Sequence, residues 1–106
     1  MLCILCVLAG SCAGAREHAL LEQFFTASRL RDLTALQNVS TVVFEPKEQG
    51  TVLEFDIQSI QQDSDHELVD VSALIRTPGG EIVRKNLRVT IAGGVVTSVA
   101  PSPPRS

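Results

Sequence analysis

The first pattern along the chain is helical. Between residues 16 and 38, apolar side chains recur every three or four positions, in one stripe around Phe24 and a second around Leu33. Such spacing places apolar side chains on one face of a helix. Because residues 27–29 weaken the stripe, the pattern predicts two helices or one bent helix. We expect charged positions between the apolar ones, such as Glu17, to face solvent.

From residue 39 onward the period changes to two, and β-branched residues become frequent. A short apolar run at residues 41–45, stopped by Pro46, is interpreted as an edge strand or the end of a strand. Gly93 and Gly94 form the predicted loop of the last hairpin, where glycine tolerates a positive φ. The other predicted strands are residues 51–60, 67–77, 83–91 and 95–99.

Strands with one polar face predict an antiparallel sheet that is covered on one side. The N-terminal helices are the cover that the sequence offers. We therefore expect an α+β domain over residues 16–100, with one or two N-terminal helices on a curved antiparallel sheet of four to five strands. Residues 101–106 are predicted to be a disordered tail. The predicted core contains Leu20, Phe24, Leu33, Phe55, Val71 and Val89.

The alternation also assigns side chains to the two faces of the sheet. Leu53 is expected on the covered face, and Lys85 falls in phase with the core positions of its strand. Burying an unpaired ammonium costs several kcal/mol, so Lys85 must be paired, reach past the helices to solvent, or stand at the mouth of a cavity. In the last case it would attract an anionic ligand. The apolar residues expected on the outward face are Val52, Leu68, Leu74 and Val96.

Residues 1–15 have the features of an export signal. They carry no charge and end in small residues, and the run is shorter than the roughly 20 apolar residues of a membrane-spanning helix. Residues 8–12 resemble the bacterial lipobox, which predicts removal of residues 1–11 and a lipid anchor on Cys12. A competing small-x-small site at residues 13–15 would instead release a soluble secreted protein that begins at Arg16.

Charge, aromatic content and cysteine positions narrow the classes of partner. The chain of 106 residues has a net charge of −3 and no Trp or Tyr. Nucleic-acid binding needs a basic face or aromatic stacking platforms, so we expect no nucleic-acid partner. The three cysteines all precede residue 16. The domain therefore has neither a disulfide framework nor a thiolate metal site, and we expect no cofactor and no metal.

The helical segment also resembles a known superfamily. Residues 21–27 (LEQFFTA) and 30–36 (LRDLTAL) are similar to the opening helices of the nuclear-transport-factor-like, or SnoaL-like, superfamily, whose neighbours are the cystatin-like folds. The resemblance implies a cone-like fold that hosts enzymes, binding proteins and scaffolds. It also makes Asp32 a candidate ligand-binding residue, because the superfamily often has Asp between these helices. The alternative is a carboxylate that caps the local backbone.

The other candidates for chemistry are weaker. His18 and His66 are both expected in solvent. The acidic segment 63–67 could attract a hard cation, but it lacks the spacing and the turn glycine of a calcium loop, which favours a solvated hairpin loop. No spacing brings two titratable groups together for proton transfer. We therefore predict no catalytic residue.

These observations predict a non-catalytic exported domain of the bacterial cell envelope. A lipid on Cys12 would hold it in the periplasm or on the outer surface, and Lys85 and Asp32 are the candidate ligand-binding residues for an unknown small ligand or protein partner. Two alternatives stay open. One is a small SnoaL-like enzyme that uses a cavity carboxylate, and the other is a structural subunit that forms homodimers through the outward sheet face.

Overall fold

The computed structural model describes residues 2–102, with side chains described from residue 14 onward. Helices followed by one four-stranded antiparallel sheet confirm the predicted α+β class. The side chain of Cys12 and residues 103–106 of the predicted tail lie outside the described residues. In chain order the elements are α1 (Leu2–Leu30), α2 (Leu33–Val39), α3 (Pro46–Gln49), β1 (Thr51–Asp63), β2 (His66–Arg76), β3 (Ile82–Ala92) and β4 (Val95–Pro101).

A tight turn separates the first two helices. Arg31 adopts a φ of 54°, and its amide donates a hydrogen bond to the carbonyl of Ser28 at 3.2 Å. Asp32 then begins α2, because its Oδ1 accepts a hydrogen bond from the amide of Ala35 at 3.1 Å, which is the geometry of a helix N-cap. The Ser28 hydroxyl accepts a hydrogen bond from the amide of Phe44 at 3.1 Å. The two-helix interpretation is therefore confirmed.

The core lies between the helices and the inner face of the sheet. The strand order is β1-β2-β3-β4, so β2 and β3 are the central strands and contribute most of the buried face. Along these two strands, the apolar residues that the sequence predicts for the core face point inward, as expected for a sheet with one covered side. The buried apolar residues of α1, β2 and β3 are Leu21, Phe24, Phe25, Ala27, Val69, Val71, Ala73, Ile75, Leu87, Val89 and Ile91.

Five of the six predicted core residues reach the core, three of them fully buried. Leu20 and Phe55 are partly buried against it. Leu33 is the exception, because its side chain is 66% exposed. The last turn of α2 reaches the core through Leu36 and Val39, whereas Leu33 lies one turn earlier, at the connection with α1.

Bulges in the two edge strands reverse part of the predicted alternation. In β1, Val52 and Glu54 pair with consecutive residues of β2, which leaves Leu53 as an extra residue. In β4, Thr97 is extra in the same way. A bulge shifts the phase of the following positions by one residue. Consequently Leu53, predicted inward, is 40% exposed, while Val96, predicted outward, is fully buried.

The apolar patch on the outward face, which the dimer alternative requires, is smaller than the sequence predicts. Val52 packs against the core rather than facing outward, as does Val96. Polar pairs occupy the middle of the outward face: Arg88 donates from Nε and Nη2 to Asp70 at 2.9 and 3.1 Å, and these hydrogen bonds raise the pKa of Arg88. Arg84 lies 3.8 Å from Glu54 across the sheet. Opposite charges that face each other on one side of a sheet stabilise it.

The edge strand predicted at residues 41–45 is wrong. Only Ser40 forms a bridge to Val96, and the amide of Thr41 donates to the carbonyl of Val96 at 2.9 Å. Pro46 does not end a strand but begins α3, where its missing N–H is not needed. Gly50 then ends this helix with a φ of 91°.

Candidate functional site

A groove lies where α3 approaches the ends of β3 and β4. Its volume is about 490 Å³, and we refer to it as the Lys85 groove. Phe44, Ile75, Leu87 and Val99 give it apolar walls, while the one-turn helix α3 forms its polar rim. The other lining residues are Glu48, Gln49, Lys85, Asn86, Ala100, Pro101 and Ser102.

Lys85 is accessible although it falls in the core phase of β3. It lies opposite Ala73, a fully buried residue of β2. On the other side of β3, the pairing of the described residues runs through Leu87–Pro101 to the amide of Ser102, which donates to the carbonyl of Asn86 at 2.9 Å. Lys85 is exposed, and none of the ion pairs among the described residues involves it.

Asp32, the second predicted ligand-binding residue, lies elsewhere. It lines a cleft of about 470 Å³ between α1 and α2, together with Leu30 and Ala35. One of its carboxylate oxygens is used as the N-cap of α2, which agrees with the alternative of a capping residue. The structure therefore does not bring Asp32 and Lys85 to one site, because their clefts share no residue.

A second polar cleft, which the sequence did not predict, lies at the other end of the sheet. We call it the Glu17 cleft; its volume is about 470 Å³. Glu17 was expected in solvent but is only 4% exposed. The signal was present, since Glu17 precedes Leu21 by four residues and Phe24 by seven and therefore shares their face of α1. The cleft is lined by Arg16, Glu17, Leu20, Gln62, Asp65, His66, Glu67, Ile91, Gly93 and Gly94.

Two carboxyl groups meet in the Glu17 cleft. Oε1 of Glu17 is buried and has no hydrogen-bond donor among the described residues. Partial burial of Glu67, its hydrogen bond with Glu17 and the charge of Glu17 raise the pKa of Glu67. Gln62 supports the arrangement, because its Nε2 donates to Oε2 of Glu67 at 2.9 Å. Both side chains line the cleft, so the negative charge of Glu17 disfavours ionisation of Glu67.

Each of the two histidines contacts neighbouring side chains. Nε2 of His66 lies 3.4 Å from Oδ2 of Asp63, and its Nδ1 lies 3.3 Å from Oδ1 of Asp65. His18 stacks on Phe55 with ring centroids 4.7 Å apart, and its side chain is half exposed. In the part of the chain that the structure describes, no group of three or more His, Cys, Asp or Glu residues is arranged to hold a metal ion.

No protein-family model, curated protein or solved structure matches the chain. Among the described helices, none combines the length and apolar character needed to cross a membrane.

Proposed function

We propose that this protein is a non-catalytic binding domain whose ligand is an anion with an apolar body. The observation that carries the proposal is the exposed residue Lys85 in the lining of a groove whose apolar walls are Phe44, Ile75, Leu87 and Val99. An apolar concave surface with one or a few placed polar groups is typical of small-molecule sites. Lys85 would select the negative headgroup, and the walls would contact the apolar body.

The apolar walls and the charge of Lys85 contribute unequally to the binding free energy. Each buried methylene of a ligand contributes about 0.8 kcal/mol, whereas an exposed ion pair contributes about 0.2–1 kcal/mol. We therefore expect most of the affinity to come from the apolar body. Lys85 would decide the sign of the charge that binds. Glu48, which also lines the groove, repels anions, and without Lys85 its carboxylate would favour cations.

The distance between the two sites supports binding rather than catalysis. Lys85 and Ile91, which lines the Glu17 cleft, are six positions apart on β3. At about 3.4 Å per residue these positions are about 20 Å apart. A headgroup bound at Lys85 is therefore far beyond hydrogen-bond reach of the carboxyl pair, and the pair cannot transfer a proton to it.

Replacing Lys85 by Met is expected to weaken the binding of an apolar anion by about fivefold, which corresponds to about 1 kcal/mol. The probe is anilinonaphthalene sulfonate, whose fluorescence is titrated against the folded protein, with dodecanoate as the competitor. Lys47→Met is the matched control, because it removes the same charge from α3 without removing a residue that lines the groove. Equal losses in the two variants, or no displacement by dodecanoate, would refute the proposed site.

We also propose, on the lipobox resemblance, that the chain is exported and anchored by a lipid on Cys12 in the periplasm or on the outer surface of a bacterial cell. Mass spectrometry of the membrane fraction should show an acylated N-terminal Cys12. Cys12→Ala should abolish the acylated form, whereas Cys6→Ala should preserve it. A soluble product that begins at Arg16 would rule out the lipid but keep export, and a protein that retains Met1 would rule out both.

The relation to the SnoaL-like superfamily is likewise a proposal. Two opening helices followed by an antiparallel meander support it, and so does the N-cap position of Asp32 between those helices. It predicts that the binding groove is a shallow version of the cone in which members of that superfamily hold their ligands. Binding of an anionic ligand requires only the groove and Lys85, whether or not the chain belongs to this superfamily.

A further inference from the structure

The Glu17 cleft holds a buried polar atom that the described residues leave without a donor. Glu17 is 4% exposed, and its Oε1 accepts no hydrogen bond from them. Buried polar atoms in folded proteins are generally hydrogen-bonded, so an exception calls for a physical reason. The described residues supply no donor for this oxygen. Glu17 lines a cleft of about 470 Å³, from which a ligand can supply the missing donor.

We propose that the Glu17 cleft binds an organic cation, a primary ammonium group on a short apolar stem, between the carboxylates of Glu17 and Glu67. The two carboxyl groups come from different elements, α1 and β2. The three divergent N–H donors of an ammonium suit such an arrangement better than the planar fork of a guanidinium, which matches the two oxygens of one carboxylate. This site is independent of the Lys85 groove.

The rest of the lining favours an organic cation over a metal ion. Leu20 and Ile91 provide apolar surface beside the carboxyl pair, and Ile91 is 4% exposed. Such surface can hold an alkyl stem but offers no oxygen ligand. The loop glycines Gly93 and Gly94 at the mouth carry no side chains that would close it.

The charged residues around Glu17 and Glu67 are also compatible with a bound cation. The other titratable groups of the cleft are Arg16 on α1 and Asp65 and His66 at the turn into β2. Asp65 adds a third carboxylate, and Arg16 forms no ion pair with Glu17 or Glu67 among the described residues. The charge of Arg16 lowers the pKa of Glu67 in part, but the three carboxylates of the cleft outnumber this one guanidinium, so the negative charge that remains favours an ammonium.

Binding of the ammonium competes with protonation of Glu67. The cation interacts best with two ionised carboxylates, whereas burial and Glu17 raise the pKa of Glu67 above its usual value. Affinity should therefore be full above this raised pKa and fall as the pH decreases through it. Within the pH range of this titration, each bound ammonium should release up to one proton from Glu67.

The experiment is calorimetric titration of the full chain with butylammonium chloride, at several pH values and in buffers of different ionisation enthalpy. We expect binding accompanied by proton release, and a loss of affinity of about tenfold or more in Glu17→Gln and in Glu67→Gln, because each removes one of the two charges. Glu22→Gln is the matched control, since Glu22 lies on the same helix but is exposed. It should bind butylammonium as the unmodified protein does.

Amide shifts of the unmodified protein give a second readout that needs no variant. Butylammonium should move the resonances of Gly93 and Gly94 and leave those of Ala100 and Ser102 unchanged. Absence of butylammonium binding would overturn the proposal. So would undiminished affinity in a folded Glu17→Gln protein, or tighter binding of calcium or guanidinium than of butylammonium.

Discussion

Phe24→Ala is expected to lower the free energy of unfolding by about 3–5 kcal/mol. Phe24 is fully buried on the sheet side of α1, and the centroids of its ring and of the Phe25 ring are 5.2 Å apart. Truncation would remove this packing and leave a cavity, because the surrounding strands cannot collapse fully. Urea denaturation followed by circular dichroism measures the change.

Phe55→Ala is the comparison for that variant. The sequence predicts the same large loss for Phe55 if the residue is fully buried. The structure shows it only partly buried, beside His18 and Phe25. We therefore expect Phe55→Ala to cost clearly less than Phe24→Ala. A larger cost for Phe55→Ala would show that the packing of α1 on the sheet is described wrongly.

Gly50→Ala is expected to be similarly damaging, at about 3 kcal/mol or more. Gly50 has φ of 91° and ψ of −167°, a region that is essentially restricted to glycine. A Cβ there would lie 2.4 Å from the carbonyl oxygen of Arg76 and 2.9 Å from Cγ2 of Ile75. The cost of the strained backbone and the cost of the steric collision therefore add, and both lower the stability of the folded state. Thermal and urea denaturation of the variant test this expectation.

Gly80→Ala separates the effect of backbone strain from the effect of the steric collision. Gly80 has nearly the same φ, 93°, but no heavy atom lies within 4 Å of the position that its Cβ would take. The variant carries backbone strain without collision, so we expect a smaller loss of about 1–2 kcal/mol. Equal losses at Gly50 and Gly80 would contradict the close approach of β2 to Gly50, and with it the position of α3 beside the Lys85 groove.

The central strands β2 and β3 were predictable because the ladder between them is continuous and without a bulge. Alternation in β2 and β3 matches the observed faces. The bulges at Leu53 and Thr97 left no local signal, since a bulge is a property of how two strands pair. Val52 and Leu53 are both apolar, so either could have been the inward residue.

The candidate site was predictable only in part. The phase of β3 identified Lys85, but the groove depends on where β4 stops and on α3, neither of which periodicity shows. Glu17 had the helical spacing of a buried position, and its charge alone led to the wrong expectation of solvent exposure. Its partner Glu67 belongs to a strand far along the chain, so the carboxyl pair exists only in the folded structure.

The most direct test of the account is a nuclear magnetic resonance titration of the folded protein with dodecanoate, which follows the backbone amides. A ligand in the Lys85 groove should shift the amides of Leu87, Val99 and Ala100, which line it. The amides of Gly93 and Gly94, in the Glu17 cleft, should stay unchanged. Shifts confined to the Glu17 cleft, or no saturable shifts at all, would contradict the proposal that this groove binds an apolar anion.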